Sequence, residues 1–308
     1  MNRVAPTGIL GFPVTPLDDQ DQVDELALTH NIEFLLDSGL EAMFVACGAG
    51  EYHSLELQEY ESLVEIAKSV VGDKVPLYTG VGGNITDALR KAEVSERHGV
   101  DGYLIMPPYL IHGEQEGIFQ YFNTIASHTD LNAIVYHRNN AVMQLSTLER
   151  LARTPQVVGF KDGYGSMELN IEFTQTLGDR FSWLNGMPMA EVTMPAYVPL
   201  GFKSYSSAIS NYIPHISRKY FDALLSNDKE MVNDIYQEVI LPINRIRRQG
   251  KSYAISLIKA GMEIVGLPVN SSNVRPPVTP VTKEHYQQLE EILKKAHDKY
   301  PVDFTKSL

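Results

Sequence analysis

The sequence predicts a (β/α)8 barrel followed by a C-terminal helical region. Eight short apolar segments alternate with amphipathic segments of helical periodicity, and the pairs recur about every 25 residues, as in closed barrels of this kind. After the eighth apolar segment, only helical patterns follow. We therefore assign residues 1–227 to a barrel domain and residues 228–308 to a helical appendage.

The predicted strands are rich in β-branched and apolar residues and end at glycine, proline or polar turns. The fourth strand stops at Pro107-Pro108, because proline has no amide hydrogen to donate to a sheet. The predicted strands comprise residues 8–14, 42–46, 75–81, 102–106, 133–136, 157–161, 181–185 and 204–207.

Helices are predicted between these strands and after the last of them, from apolar residues at helical spacing. The first helix begins at Asp24, the second begins near Ser54, and the third spans residues 86–98. The helical appendage contains three further predicted helices, over residues 231–247, 253–265 and 283–299.

The charge balance is acidic, with 26 Lys and Arg against 38 Asp and Glu and a formal net charge of −12. With no basic excess to release counterions, we expect neither nucleic acid nor an anionic membrane as a partner. An anionic substrate must then be held by a local cationic site. Because no signal segment or membrane-length apolar run is present, we expect a cytoplasmic protein.

The stretch over residues 157–163, Val-Val-Gly-Phe-Lys-Asp-Gly, places one lysine at the end of an apolar strand. In a barrel, that end of a strand faces the active site. Partial desolvation there lowers the pKa of an amine, and the neutral form of Lys161 could attack a carbonyl group. The alternative is a strand-end lysine whose ammonium reaches solvent.

The same rule collects other strand-end residues into one predicted pocket. A tyrosine could move protons, glycine-rich backbone amides could hold a carboxylate, and an arginine could hold a second anion. Simpler roles stay open: a tight turn for the glycines, packing for the tyrosine and a solvated charge for the arginine. The pocket residues are Gly48, Ala49, Gly50, Tyr109, Tyr136, Arg138, Asn139, Lys161, Asn185, Gly186, Ser206 and Ser207.

Metal binding is not predicted from the sequence. The one cysteine, Cys47, excludes an intrachain disulfide and any multi-cysteine metal site. The histidines are scattered without ligand spacing. We expect no metal ion and no organic cofactor.

At these residues the chain resembles a known family along nearly its whole length. It is similar to the dihydrodipicolinate synthase / N-acetylneuraminate lyase superfamily of Schiff-base lyases, and within it to the 5-dehydro-4-deoxyglucarate dehydratase family. The segments that carry the resemblance are residues 11–16, 48–52, 107–110, 135–141, 159–163, 190–192, 205–208, 250–254 and 274–277.

The resemblance implies roles for several of these residues. Lys161 would form the imine, Tyr136 would relay protons, and the loop over residues 48–50 would bind the carboxylate next to the ketone. Ala49 stands where the dehydratases usually carry threonine, so one hydroxyl is absent. Leu110 stands where the synthases carry a second tyrosine, which fits the dehydratases better.

The implied reaction begins with a six-carbon 2-keto-3-deoxy diacid. Dehydration and decarboxylation on one lysine would release 2-oxoglutarate semialdehyde (2,5-dioxopentanoate), water and carbon dioxide, with Arg138 as the candidate cation for the distal carboxylate. Two alternatives stay open: an aldolase or synthase that uses pyruvate, and a sensor that binds a keto acid without turnover. The resemblance also implies a homodimer or a homotetramer.

Overall fold

The computed structural model describes residues 3–302, in which eight parallel strands pair in chain order and close into one barrel. This confirms the predicted (β/α)8 fold. Residues 1, 2 and 303–308, which the predicted domains include, lie outside the described residues. The strands are β1 (Gly8–Gly11), β2 (Ala42–Val45), β3 (Leu77–Gly82), β4 (Gly102–Met106), β5 (Asn132–His137), β6 (Val157–Asp162), β7 (Ser182–Asn185) and β8 (Ser204–Ser207).

Two strand boundaries differ from the prediction by more than one residue. β1 ends at Gly11 rather than at residue 14, and β3 begins at Leu77 rather than at residue 75. A proline lies beside each altered boundary, Pro13 after β1 and Pro76 before β3. Proline cannot donate to the sheet, so Pro13 limits how far β1 extends and Pro76 limits where β3 begins.

Twelve α-helices in residues 3–302 surround the barrel or follow it, and no helix in this range is long and apolar enough to cross a membrane. They are α1 (Glu25–Asp37), α2 (Leu57–Val71), α3 (Ile85–Arg97), α4 (Gln115–Ala126), α5 (Leu145–Leu151), α6 (Met167–Leu177), α7 (Met194–Tyr197), α8 (Pro214–Leu225), α9 (Lys229–Ile235), α10 (Leu241–Arg247), α11 (Tyr253–Ile264) and α12 (Lys283–Lys299).

The starts of the first two helices follow from their capping residues. The Asp24 carboxylate accepts a hydrogen bond from the Ala27 amide at 2.9 Å, which starts α1 where the sequence predicts it. The second helix starts three residues later than Ser54, because Glu56 and Glu59 form a reciprocal capping box.

The helix predicted over residues 231–247 is interrupted by one wide turn. α9 and α10 are joined through Tyr236–Ile240, where the backbone bonds span five residues instead of four. Pro242 is the second residue after this turn, and it has no amide hydrogen for a regular helical bond. The proline therefore accounts for the local widening of this helix.

The hydrophobic core consists of three clusters. One lies inside the barrel, one lies between the strands and the helices around them, and the third includes the C-terminal helices. Ile243 and Leu257 in α10 and α11 pack in this cluster with Val14, Met189 and Ile209 from loops at the mouth of the barrel. The helical region thus shares a core with the barrel loops. The domain boundary between residues 227 and 228 stays a prediction.

A buried ion pair also joins the C-terminal helices to the barrel. The Lys259 ammonium in α11 donates to the Glu51 carboxylate at 2.6 Å, and both side chains are almost completely buried. The ammonium also donates to the Asn273 carbonyl oxygen at 2.8 Å. Glu51 directly follows Gly50, so this pair links α11 to the loop over residues 48–50.

We expect Lys259→Met to lower the free energy of unfolding by about 3–5 kcal/mol, because the Glu51 carboxylate would stay buried without its cation. Urea denaturation measures the change. The control is Lys251→Met, which removes an exposed ammonium and should change stability by less than about 0.5 kcal/mol. Equal denaturation midpoints for the two variants would contradict a stabilising role for the pair.

Candidate active site

A bulge in β6 sets the direction of the Lys161 side chain. Ala133 pairs with Val157 and Ile134 pairs with Gly159, so Val158 is the extra residue in β6. Because side chains alternate along a strand, one extra residue moves those that follow to the opposite face. Downstream, Lys161 pairs with Tyr136, which belongs to the core inside the barrel. The two side chains therefore share the inner face.

Lys161 is 5% exposed and lies between two aromatic rings. Its Nζ is 4.0 Å from the centroid of the Phe12 ring and 4.7 Å from the centroid of the Tyr136 ring. Burial lowers the pKa of Lys161 to about 7; Cys47 opposes this shift, and the positive charge of Arg138 adds to it. A large fraction of this amine is therefore neutral near pH 7, as attack on a carbonyl requires.

The Tyr136 hydroxyl has a fixed hydrogen-bond environment. It donates to the Gly186 carbonyl oxygen at 3.0 Å and accepts from Nη1 of Arg138 at 2.8 Å. Burial raises the pKa of Tyr136, while the Arg138 guanidinium acts in the opposite direction. The phenol is thus protonated at rest, and the guanidinium is placed to stabilise the phenolate if the proton is transferred.

Two glycines make room for this pair of side chains. A Cβ at Gly186 would lie 2.3 Å from Cε of Lys161, and one at Gly163 would lie 2.7 Å from the Tyr136 ring. Both distances are far below van der Waals contact. Gly163 and Gly186 therefore permit the observed positions of Tyr136 and Lys161.

A cavity of ≈ 280 Å³ opens at the C-terminal ends of the strands, next to Lys161. Its walls come from strand-end loops and from α10 and α11. Among the residues predicted for the site, those on its walls are Gly48, Ala49, Tyr136, Arg138, Lys161, Gly186, Ser206 and Ser207.

The cavity is cationic although the chain is acidic overall. Lys161, Arg138 and Arg247 line it, whereas the described lining residues include no Asp or Glu. The amide of Ala49, which is on the wall, has no hydrogen-bond acceptor within residues 3–302. Together these groups form an environment suited to a small anionic ligand.

Other predicted residues lie off the cavity wall. Gly50 is buried, and its carbonyl oxygen accepts from Oγ1 of Thr15 at 2.8 Å. Asn139 is exposed in a tight turn with φ 50°. Tyr109 is also about half exposed, away from the cavity.

Asn185 is completely buried and holds the loop that follows β7. Its side-chain amide donates to the Ala190 carbonyl oxygen at 3.2 Å and to Oγ1 of Thr193 at 3.0 Å. Its side-chain oxygen accepts from the Met187 amide at 3.1 Å. Asn185 thus shapes the cavity through Met187, which is on the wall.

The two serines of β8 differ in what their hydroxyl groups contact. Ser206 makes one long hydrogen bond, 3.4 Å to the Asn185 carbonyl oxygen. Ser207 donates to the Glu191 carboxyl group at 2.6 Å and lies 2.9 Å from the Ser217 hydroxyl. Burial raises the pKa of Glu191. Ser206 therefore has more hydrogen-bonding capacity left for a ligand than Ser207.

Sequence reasoning missed two polar residues, Arg247 on the cavity wall and Glu191, which is off the wall and accepts a hydrogen bond from Ser207. Glu191 falls in a segment that carries the family resemblance, but no local pattern indicated that it contacts Ser207. Arg247 is one of three arginines at the end of α10, at positions 245, 247 and 248, and helical spacing alone does not show which one faces a cavity.

Residues 3–302 contain no group of three or more His, Cys, Asp or Glu side chains arranged to hold a metal ion. His137, which follows Tyr136, is buried, and its Nδ1 accepts from the Met143 amide at 3.0 Å. Burial lowers the pKa of His137 to about 4. His137 is therefore a neutral core residue at pH 7.

Fold and cavity together define a (β/α)8-barrel protein with a buried lysine in a cationic cavity at the barrel mouth. The model of the dihydrodipicolinate synthetase family matches residues 5–296, and the chain belongs to this family. A solved structure of dihydrodipicolinate synthase from Oceanobacillus iheyensis has the same fold, with a TM-score of 0.87 at 23% identity over 94% of this chain and 96% of that chain.

Curated relatives carry a more specific name. A protein of Oceanobacillus iheyensis is 75% identical over 308 residues, 100% of both chains, and is named probable 5-dehydro-4-deoxyglucarate dehydratase. A Bacillus subtilis protein with the same name is 62% identical over 299 residues, 97% of each chain. These relatives confirm the resemblance to the dehydratases that the sequence indicates.

We expect Gly186→Ala to displace the Lys161 side chain, because the added methyl group would overlap Cε. If Lys161 forms an imine, the variant should be trapped with a 2-keto acid by borohydride at least about 10²-fold more slowly, which is the scale of loss when a reacting group is misplaced. The control is Gly117→Ala, where a Cβ would meet nothing within 4 Å. Equal trapping rates in the two variants would show that Gly186 is not needed for the lysine position.

Proposed function

We propose that the chain is a Schiff-base-forming hydro-lyase that converts 5-dehydro-4-deoxy-D-glucarate to 2,5-dioxopentanoate, water and carbon dioxide. The observation that carries this proposal is the Lys161 amine, whose pKa is lowered to about 7. It lies in a cavity whose lining, among the described residues, includes two arginines and no Asp or Glu. The names of the relatives from Oceanobacillus iheyensis and Bacillus subtilis support the choice of substrate.

The substrate would bind with its ketone at Lys161. The amides of Ala49 and Gly50 and the hydroxyl of Ser206 are our candidates for the carboxylate next to the ketone, since the two amides have no acceptor among the described residues and the hydroxyl makes only one long hydrogen bond there. Arg138 is our candidate for the distal carboxylate. The cavity of ≈ 280 Å³ is slightly smaller than most ligand pockets, which range over roughly 300–1,000 Å³, and therefore suits a small substrate.

Some of the predicted substrate-binding residues would act without contacting the substrate directly. Gly48 and Ser207 line the cavity and stay candidates for direct contact. We propose that Asn185 acts by holding the loop behind Met187, and that Gly50 acts through its amide. Asn139 lies in an exposed turn, so a role for it would require contact with the outer end of a bound substrate.

The first half of the reaction is imine formation and dehydration. The neutral amine of Lys161 attacks the ketone, and loss of water gives a protonated imine. In these steps the Tyr136 hydroxyl, polarised by Arg138, relays the proton. The iminium acidifies the neighbouring methylene group, and removal of one of its protons lets the hydroxyl one carbon further leave as water.

The second half of the reaction uses the same lysine. The conjugated iminium accepts the electron pair of the bond to the distal carboxylate, so carbon dioxide leaves and a dienamine forms. Protonation and hydrolysis then release the semialdehyde and restore the Lys161 amine. One buried lysine thus serves as the electron sink for both bond cleavages, and no metal or organic cofactor is required.

We also propose that the protein acts in the cytoplasm as a homodimer or homotetramer. The observation that favours self-association is the loop after β4. Three consecutive residues in it, Tyr109, Leu110 and Ile111, have exposed apolar side chains, and Leu110 is 95% exposed. Exposed apolar patches of this kind are typical of protein interfaces.

We expect borohydride to trap a 2-keto acid on Lys161, with a trapping rate that rises as the pH increases through about 7. Below that pH the Lys161 ammonium cannot attack, whereas an ordinary lysine amine stays protonated up to about pH 10.4. Peptide mapping of the labelled protein identifies the residue. A label on Lys203 or Lys251, or a midpoint near that of ordinary lysine, would refute the assignment.

The products distinguish the proposed function from its alternatives. With 5-dehydro-4-deoxy-D-glucarate, we expect carbon dioxide and 2,5-dioxopentanoate to appear together, because one iminium drives both steps. A mass-spectrometric product assay measures both. An aldolase would release pyruvate instead, and a sensor would bind the diacid without turnover; either result would overturn the proposal.

A further inference from the structure

Two arginines line the cavity without a carboxylate partner among residues 3–302. They are Arg138, which follows β5, and Arg247 at the end of α10. Other arginines of this acidic chain do face carboxylates. Examples are Arg97 with Glu61, Arg150 with Glu116, Arg218 with Glu41, and Arg275 with Glu59. The two cavity arginines therefore retain positive charge that the described protein does not neutralise.

The two guanidinium groups differ in what they contact. Nη1 of Arg138 donates to the Tyr136 hydroxyl at 2.8 Å, which ties Arg138 to the proposed proton relay. Nε of Arg247 is shielded from solvent and has no hydrogen-bond partner among the described residues. A buried donor without an acceptor is costly, since it has given up its water without a replacement.

The surroundings of Arg247 increase this cost. Apolar side chains line the same cavity: Ile243 from the preceding turn of α10, and Leu257 and Ile258 from α11. Burial lowers the pKa of Arg247, and the positive charges of Arg138 and Arg248 lower it further. An anion bound between Arg138 and Arg247 would satisfy the donor and relieve the repulsion between the two cations.

We infer that Arg247 is a specificity-determining residue that binds the distal carboxylate of the substrate together with Arg138. This inference rests on the proposed function, because it names the residue that would distinguish a keto diacid from a keto monoacid in the same cavity. Arg247 comes from the C-terminal helices and Arg138 from the barrel. The distal carboxylate would therefore bridge the two parts of the chain.

The two arginines would have different kinetic roles. Arg138 contacts both the anion and Tyr136, so its removal should affect both turnover and binding. Arg247 makes no hydrogen bond with Tyr136 or Lys161, so its removal should affect binding of the diacid more than proton transfer. In assays with the keto diacid, Arg247→Met should raise KM by a larger factor than it lowers kcat, whereas Arg138→Met should lower kcat strongly as well.

The test compares two ligands that differ only in the distal group, 2-oxoadipate and 2-oxohexanoate. Neither carries the hydroxyl that dehydration removes, so calorimetric titration reports binding even if the proposed reaction is wrong. For 2-oxoadipate, we expect Arg247→Met to weaken binding at least about 10-fold, the usual worth of a charged hydrogen bond to a carboxylate. For 2-oxohexanoate, binding should change less than about 2-fold, as no charged contact is lost.

Two further variants control for structural effects. Arg248→Met removes an exposed neighbouring charge and should leave the affinity for both ligands unchanged. Arg247→Lys keeps the charge but not the planar fork, so it should recover part of the lost affinity for 2-oxoadipate. Equal losses for both ligands in Arg247→Met, no loss for either, or no recovery in Arg247→Lys would each overturn the inference.

Discussion

The site depends on keeping one amine out of water. Lys161 lies inside the barrel, beside the rings of Phe12 and Tyr136, and this burial is the largest cause of its lowered pKa. Burying a charged ammonium is costly, so the folded protein favours the neutral form, which is the nucleophilic form. The same packing that closes the barrel therefore favours the neutral amine that the proposed reaction requires.

Small backbone features keep this amine in position. The bulge at Val158 brings Lys161 and Tyr136 to the inner face of neighbouring strands, and glycines at positions 163 and 186 leave the space that the two side chains occupy. The Gly186 carbonyl oxygen also accepts a hydrogen bond from the Tyr136 hydroxyl. One residue thus leaves room for the lysine and orients the tyrosine, so the two proposed catalytic groups share their support.

The C-terminal helices are part of the site, because they supply one wall of the cavity. They contribute Arg247 and several apolar lining residues, and the buried pair of Lys259 and Glu51 connects α11 to the loop over residues 48–50. This loop carries the free amides that we propose as carboxylate donors. Loss of the helices would therefore remove lining residues and the buried partner of this loop.

The sequence by itself determined the barrel, the family and the position of Lys161 at a strand end, because strand alternation and strand-end residues are local features of a chain. It also indicated Tyr136 and Arg138, which lie two residues apart at the end of β5. Only the tertiary structure decided that Asn185 braces a loop, that Asn139 is exposed and that Arg247 lines the cavity. These outcomes depend on contacts between segments that meet only when the barrel closes and the C-terminal helices pack against its mouth.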